Sequence, residues 1–307
     1  MLGAAGFIGS HLVDRLLSDG HNVIGIDDFS SGNLENLSQA KEADTFEFRE
    51  CNISDAIPQL QNVDVIYNLA SLASPKKYLS NPLHTLRSGS YGTDHSLELA
   101  RQHNARIIFV STSEIYGDPL VHPQTEDYWG NTNPIGVRSC YDEAKRFGEA
   151  LTMAYVRTHK ISAGIVRVFN TYGPRLDPTD GRVISNLIVQ SLSNAPQTIF
   201  GSGQQTRSFC FVSDLVEGLV RFAASSSTGP LNLGNPRETT ILELARLISS
   251  IAGVDHEVEF HDIPEDDPQR RQPDITRAVE TIGWRPVVSL ESGLAQTIKW
   301  YRERLSI

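Results

Sequence analysis

The sequence predicts an α/β fold, a doubly wound parallel sheet with a smaller C-terminal α/β lobe, on three observations. Short apolar runs alternate with helical stretches through the first half, as a parallel sheet with crossover helices requires. A glycine-rich turn, Gly3-Ala4-Ala5-Gly6-Phe7-Ile8-Gly9, opens directly into the first helical stretch. From Asn170 the rhythm breaks into shorter elements punctuated by Pro and Gly. Residues 1–169, with a return segment at about 208–235, are expected to form the sheet domain, and 170–207 with 236–307 the lobe.

Helical spacing over 8–19 follows the glycine turn, where a Rossmann-type fold normally has an apolar strand of about five residues in front. Only Met1 and Leu2 stand there, so the first strand is expected to be missing or truncated, by a start assigned too late or by trimming. That strand is central, and its loss would bare the edges of both neighbours, to the detriment of fold or cofactor affinity. Runs at 23–26, 63–67, 106–110 and 163–168 are short, β-branched and continuous in their apolar residues, which suits strands covered on both faces. Residues 93–103 and 141–159 carry helical spacing between them, and further helices are expected at 185–193, 241–251 and 290–304.

At 307 residues and 39% hydrophobic content the chain can bury a large core. Its 27 basic and 37 acidic residues leave a net charge of −10, which argues against nucleic acid and against a polybasic membrane anchor. Three widely spaced cysteines, Cys51, Cys140 and Cys210, read as reduced thiols. There is no apolar run of membrane-spanning length and no signal peptide pattern, so a cytoplasmic protein is expected.

Gly3, Gly6 and Gly9 permit a tight turn and close approach of a pyrophosphate to the helix start at Phe7 and Ile8. Asp27 stands 18 residues after Gly9 at a strand end, where a carboxylate accepts hydrogen bonds from a ribose diol and repels a 2′-phosphate. Asp27 to Asn36 contains neither Arg nor Lys, so NAD is favoured over NADP.

The chemistry concentrates between Ser111 and Lys145. Ser111-Thr112-Ser113-Glu114 ends a strand with hydroxyls and one carboxylate, and Tyr141-Asp142-Glu143-Ala144-Lys145 places a phenol and an ammonium one helical turn apart. Tyr141 can take a proton from a hydroxyl while a nicotinamide takes the hydride, provided that Lys145 and the positive nicotinamide make the phenol more acidic. Thr112 can hydrogen-bond the reacting hydroxyl.

Gly3–Gly9, Asp27, Ser111–Gly117 and Tyr141–Lys145 resemble an extended short-chain dehydrogenase/reductase acting on a nucleotide sugar. Tyr116-Gly117-Asp118-Pro119, Tyr128-Trp129-Gly130-Asn131, residues 133–145, Phe169–Arg175, Gly201–Phe209 and Asp266–Ile275 narrow this to the UDP-glucuronate decarboxylase, or UDP-xylose synthase, family. The resemblance spans essentially the whole chain. It implies NAD as cofactor, a UDP-sugar substrate and a homodimer built from the helices at 93–103 and 141–159. It implies oxidation of C4 with Tyr141 as base, loss of CO2 from the β-keto acid, reprotonation at C5 and return of the hydride.

The same resemblance places Thr112, Glu114, Tyr141, Lys145 and Arg271 in catalysis, Glu114 and Arg271 at the carboxylate end. It places Asp28, Asn52, Ile53, Thr171 and Arg182 at the cofactor beside the glycine turn, Asp27, Tyr141 and Lys145, and Asn170, Asn186, Phe200, Arg207 and Arg271 at the substrate. No metal is called for. Nucleotide-sugar 4,6-dehydratases carry an Asp where this chain has Ser113, and 4-epimerases lack the Glu at 114, so both are alternatives; a catalytically idle NAD- or UDP-sugar-binding protein is a third. Departures are Leu72 for the family's Pro, Gly89 and His95 for Asn, and Asn52 for Asp, which leave sugar preference open.

Overall fold

A computed structural model describes residues 1–262 and 270–306; of the motif at 266–275, Asp266 to Gln269 lie outside the described residues. In chain order the first part comprises α1 (Phe7–Ser18), β1 (Val23–Asp27), β2 (Phe46–Glu50), β3 (Val65–Asn68), α2 (Pro75–Ser80), α3 (Pro82–Arg87), α4 (Thr93–His103), β4 (Arg106–Thr112), α5 (Ser139–His159) and β5 (Ala163–Val168). There follow β6 (Thr171–Tyr172), α6 (Val183–Leu192), β7 (Gln197–Phe200), β8 (Thr206–Ser208), β9 (Cys210–Phe211), α7 (Val212–Ala224), β10 (Leu231–Leu233), β11 (Glu238–Thr240), α8 (Ile241–Ala252), β12 (Val258–His261), α9 (Thr276–Ile282) and α10 (Leu290–Leu305).

The sheet is parallel, and its middle rests on two residues. β10, β5, β4 and β3 run side by side, β1 pairs with β2, and the two groups meet at Leu2, which bridges to Ile26 and to Asn68. Leu2 N–H donates to Tyr67 O at 2.9 Å and Leu2 O accepts from Leu69 N–H at 3.0 Å. On the other side Ile26 N–H donates to Met1 O and Gly3 N–H to Ile26 O, both at 2.8 Å. Met1 and Leu2 thus join the half-sheets at the end carrying the glycine turn. The Leu2 side chain is 1% exposed, whereas Val65, beyond its reach, is 41% exposed. The Met1 ammonium donates to Ile24 O at 2.8 Å, and burial pushes its pKa down to about 5.

α4 and α5 pack on β3, β4 and β5, and α1 and α7 cover the opposite face. Gly148 of α5 lies flat on Phe109, where an added Cβ would stand 2.2 Å from the ring, so this helix sits unusually close to β4. That closeness fixes the height of Tyr141 and Lys145 above the strand end. The later elements form three short pairs, β6 with β9, β7 with β12 and β8 with β11, packed by α6, α8 and α10. Thr240 and Glu243 close a capping box at the start of α8. Trp284 is buried and donates from Nε1 to Asp214 O at 2.8 Å, tying the segment after α9 to α7.

Several elements carry no clear sequence signal. β2 alternates aromatic and charged residues as an edge strand does, and α2 and α3 are single-turn-and-a-half helices, each with Pro in its first turn. A π-turn over Ser88–Gly92 joins α3 to α4 without a break, and a Cβ on Gly89 would meet that of Ala144 in α5 at 2.6 Å. Because Leu2 is the fully buried keystone of the sheet, Leu2→Ala should lower unfolding free energy by about 2–4 kcal/mol in a denaturant titration. A loss below about 1 kcal/mol would mean that the half-sheets hold without it.

Candidate active site

One cleft of about 1050 Å³ runs along the strand ends and takes in all the residues assigned to a site from sequence. That volume is at the upper end for a single ligand and suits a dinucleotide plus a second molecule. At one end Gly3 holds φ +81°, and a Cβ on Gly9 would lie 2.0 Å from Gly3 O. α1 begins at Phe7 with no side-chain cap on its first turn, so its leading N–H groups are left for an anion. Asp27 accepts from Ala5 N–H and Phe29 N–H, both at 2.9 Å, which aims its carboxylate across the glycine turn. Burial pushes Asp27 upward, opposed by those two backbone donors. Asp28, Asn52 and Ile53 follow β1 and β2 beside it, and Thr171 follows β5; all four line the same cleft. This cradle fits NAD: glycines where a side chain would block the pyrophosphate, a carboxylate for the ribose, and no cation within the loop after Asp27.

At the other end Thr112 finishes β4 and Tyr141 sits in the first turn of α5, their side chains hydrogen-bonded to one another. The phenol is pushed up to about 12, chiefly by burial; Thr112 and Arg182 pull it down against that, and Glu114 and Asp142 add to the rise. The protein alone therefore does not acidify Tyr141, and Lys145 is not among the groups that lower it; of the expected pair, Lys145 and a cationic nicotinamide, the second must provide the effect. Lys145 is itself buried and donates to Val110 O at 2.8 Å. Burial pushes it down to about 8, and Glu149 opposes the shift.

Glu114 is the most tightly held carboxylate of the site. Arg271 forks onto both its oxygens, with Nη2 at 2.9 Å from Oε2, and Arg138 Nη2 donates to Oε2 at 2.5 Å. Burial alone would raise Glu114, but Arg271 and Arg138 bring it below the usual carboxylate range. Arg271 is placed from a distance: Gln272 and Gln124 exchange hydrogen bonds of 2.8 Å, which pins its segment to the loop after β4. The trio of two arginines and one carboxylate carries one net positive charge at the inner wall of the cleft.

The remaining substrate candidates are spread along the wall toward the lobe. Arg182 pairs with Asp180 at 2.5 and 3.0 Å, Asn186 donates to Gly181 O at 3.0 Å, and Asn170 lies between β5 and β6. Arg207, on β8, donates to Thr206 O at 2.9 Å, and Phe200, at the end of β7, presents a partly exposed ring. Two residues escaped the sequence reading. Arg138 stands one turn before Tyr141, a spacing that could have drawn it to the site. Tyr78 of α2 stacks on Tyr141 with ring centroids 5.1 Å apart and planes at 4°, and nothing in its local sequence marks it.

A dinucleotide cradle leading to a Thr–Tyr–Lys constellation defines an NAD-dependent enzyme that oxidises a hydroxyl, with a carboxylate–arginine cluster added to it. Residues 1–234 match the NAD dependent epimerase/dehydratase family. UDP-glucuronic acid decarboxylase 4 of Arabidopsis thaliana is 50% identical over 99% of this chain and 68% of its own length. UDP-glucuronic acid decarboxylase 1 of Xenopus tropicalis is 48% identical over 99% of this chain and 72% of its own. Among solved structures, UDP-glucuronic acid 4-epimerase of Bacillus cereus, in complex with UDP-glucuronic acid and NAD, superposes with a TM-score of 0.88 at 29% identity, covering 99% of this chain and 98% of its own. The chain belongs to the NAD dependent epimerase/dehydratase family, and within it to the UDP-glucuronate decarboxylases.

Charged Lys145 is kept in the interior against its burial. The unfolded chain binds more protons than the folded one between pH 8 and the ordinary Lys range, so this group's contribution to stability rises with pH through that window. Lys145→Met should therefore stabilise the cofactor-free protein at neutral pH by about 1–2 kcal/mol while abolishing hydride transfer. Thermal melts at two pH values, one neutral and one alkaline, check the sign; a destabilised neutral-pH variant would contradict it.

Proposed function

We propose that this chain converts UDP-glucuronate to UDP-xylose and CO2, with NAD restored in each turnover. The observation that carries this is the Arg138–Glu114–Arg271 cluster beside Thr112 and Tyr141, with support from relatives named for that activity that align with 99% of this chain. NAD, when bound, accepts and later returns the hydride and lends its positive charge to the phenol. Thr112 hydrogen-bonds the sugar's C4 hydroxyl, and Tyr141 takes its proton as C4 becomes a ketone. The ketone is β to the C5 carboxylate, so the C5–carboxyl bond can break with its electron pair delocalised onto the C4 oxygen, which Tyr141 and Thr112 face. The enolate collapses with a proton added at C5, and Tyr141 gives its proton back to the C4 oxygen when the hydride returns.

Arg138 and Arg271 attract the substrate carboxylate, while Glu114 already occupies their donors. The substrate's negative charge is thus drawn in and incompletely satisfied, a condition relieved when it leaves as neutral CO2. Glu114, ionised across the neutral range, orders the arginines and excludes itself as the resting proton donor at C5. Arg182, Arg207, Asn170, Asn186 and Phe200 fit a diphosphate and uracil, Arg because its planar fork suits phosphate oxygens. The wall from β6 onward then serves the nucleotide sugar and the sheet serves NAD. Ser113, a hydroxyl of negligible acidity, gives no acid for dehydration at C6.

We also propose a homodimer; the helices expected to build it are those at 93–103 and 141–159, and an exposed apolar face over α3, the π-turn and α5 supports the second of them. Leu83 and Tyr91 are 66% and 60% exposed there, with Leu86 and Phe147 beside them. A second copy of the same face would cover them. No helix among the described residues is long and apolar enough to cross a membrane.

Purified protein given UDP-glucuronate and NAD should release CO2 and yield UDP-xylose; UDP-galacturonate without CO2 would identify an epimerase instead. Tyr141→Phe should reduce C4 oxidation by at least about a hundredfold, a retained NADH signal overturning its role. Glu114→Ala should spare NAD binding and slow decarboxylation more than oxidation, so that NADH and the 4-ketone accumulate. Equal loss of both steps would show that Glu114 is only a scaffold for Arg271. For the dimer, Leu83→Glu with Phe147→Glu should halve the sedimenting mass, and an unchanged mass would rule out this face.

A further inference from the structure

Behind the Tyr–Lys pair lies a buried charge network that the reaction as described does not use. Glu149 is one helical turn beyond Lys145 on α5, and both reach neighbouring residues of β4: Lys145 Nζ donates to Val110 O at 2.8 Å, and Ser111 Oγ donates to Glu149 Oε1 at 2.6 Å. Arg167 on β5 forks onto the same carboxylate, Nε to Oε1 at 3.0 Å and Nη2 to Oε2 at 2.8 Å, with both side chains largely buried. Arg167 Nη1 goes on to the Tyr116 hydroxyl and to Glu126 O, both at 2.9 Å, and Tyr116 donates to Asn232 Oδ1 at 2.8 Å.

We propose that Glu149 is a positioning residue for the hydride-transfer steps: acting through Lys145, and through Ser111 at the strand end, it keeps the ammonium charged and in place beside Tyr141. The need for such a group is physical. Lys145 sits over the Phe109 ring at 5.2 Å and donates to a backbone carbonyl, in surroundings that favour the neutral amine. The charges around it are few. On α5 they are Tyr141, Asp142, which burial and Glu114 push up to about 7, and Glu149; from β5 comes Arg167, itself neutralised by Glu149; and after β4 comes Glu114, matched by its two arginines. The π-turn packed against α5 brings Ser88 and Gly89, which carry no charge. Among the described residues Glu149 is the carboxylate that offsets the burial of Lys145, and Arg167 sets how much of its charge is left to do so.

This inference rests on the reading of Tyr141 and Lys145 as the oxidation pair, and the test separates the two. Single-turnover NADH formation from UDP-glucuronate by the NAD-loaded enzyme is followed against pH. No NADH from the unaltered enzyme would defeat the oxidation reading itself. If the unaltered enzyme works, Glu149→Gln should move the alkaline limb, where Lys145 loses its proton, down by about 1 pH unit. Arg167→Gln, which leaves the carboxylate unneutralised, should move it up, and Glu149→Asp should return it to the original position. Loss of rate at every pH with the limb unmoved in both Gln variants would reduce the network to a structural strut and overturn the proposal.

Discussion

The clamp of Arg138 and Arg271 on Glu114 joins three separate parts of the chain. Glu114 follows the central strand β4, Arg138 enters from the turn that launches α5, and Arg271 arrives from beyond β12 through its segment's pairing with Gln124. A carboxylate in this position is costly to bury unless its lone pairs are filled, and here each oxygen has a guanidinium donor. The cluster therefore closes the cleft from the lobe side and sets the charge of its inner wall. Removing Arg271 would leave Oε1 of the buried carboxylate without a guanidinium donor, which is why the later third of the chain matters to chemistry begun at residues 111–145.

The same economy of charge recurs one layer deeper. Tyr141 and Lys145 are buried to exclude water, and burial is the largest influence that makes both poorer at their task; with their neighbours included, the phenol stands at about 12 and the ammonium at about 8. Thr112 and Arg182 act on the phenol, and Glu149 on the ammonium. Helix α5 can bring these groups so near the strand ends because Gly148 and Gly89 remove side chains at its two closest contacts, with Phe109 and with the π-turn. Packing thus sets the electrostatics, and the electrostatics set which proton moves.

Much of this was legible in the sequence, for a reason that can be stated. The glycine turn, Asp27 and the Tyr141–Lys145 pair are local: spacing of a few residues fixes their geometry once strand and helix are placed, so periodicity placed them. Buried strands β4 and β5 declared themselves by continuous apolar runs, whereas β2, an edge strand, and the proline-started α2 and α3 did not. Arg271 came only through resemblance, since nothing local aims it at Glu114. Arg138 and Tyr78 were missed because their roles arise from tertiary contact, a shared carboxylate and a ring stacked on Tyr141. The capacity of Leu2 to hold both half-sheets depends on pairing with strands 24 and 65 residues away, which no local pattern announces.

The central claim is that this cluster directs a C4-oxidised sugar to lose its carboxylate. It is tested most directly by turnover of UDP-glucuronate in deuterated water, with the product read by nuclear magnetic resonance. UDP-xylose carrying one deuterium at C5, formed in step with CO2, is the outcome required by decarboxylation through an enolate. A product that keeps its carboxylate, inverted at C4 and free of deuterium at C5, would contradict it.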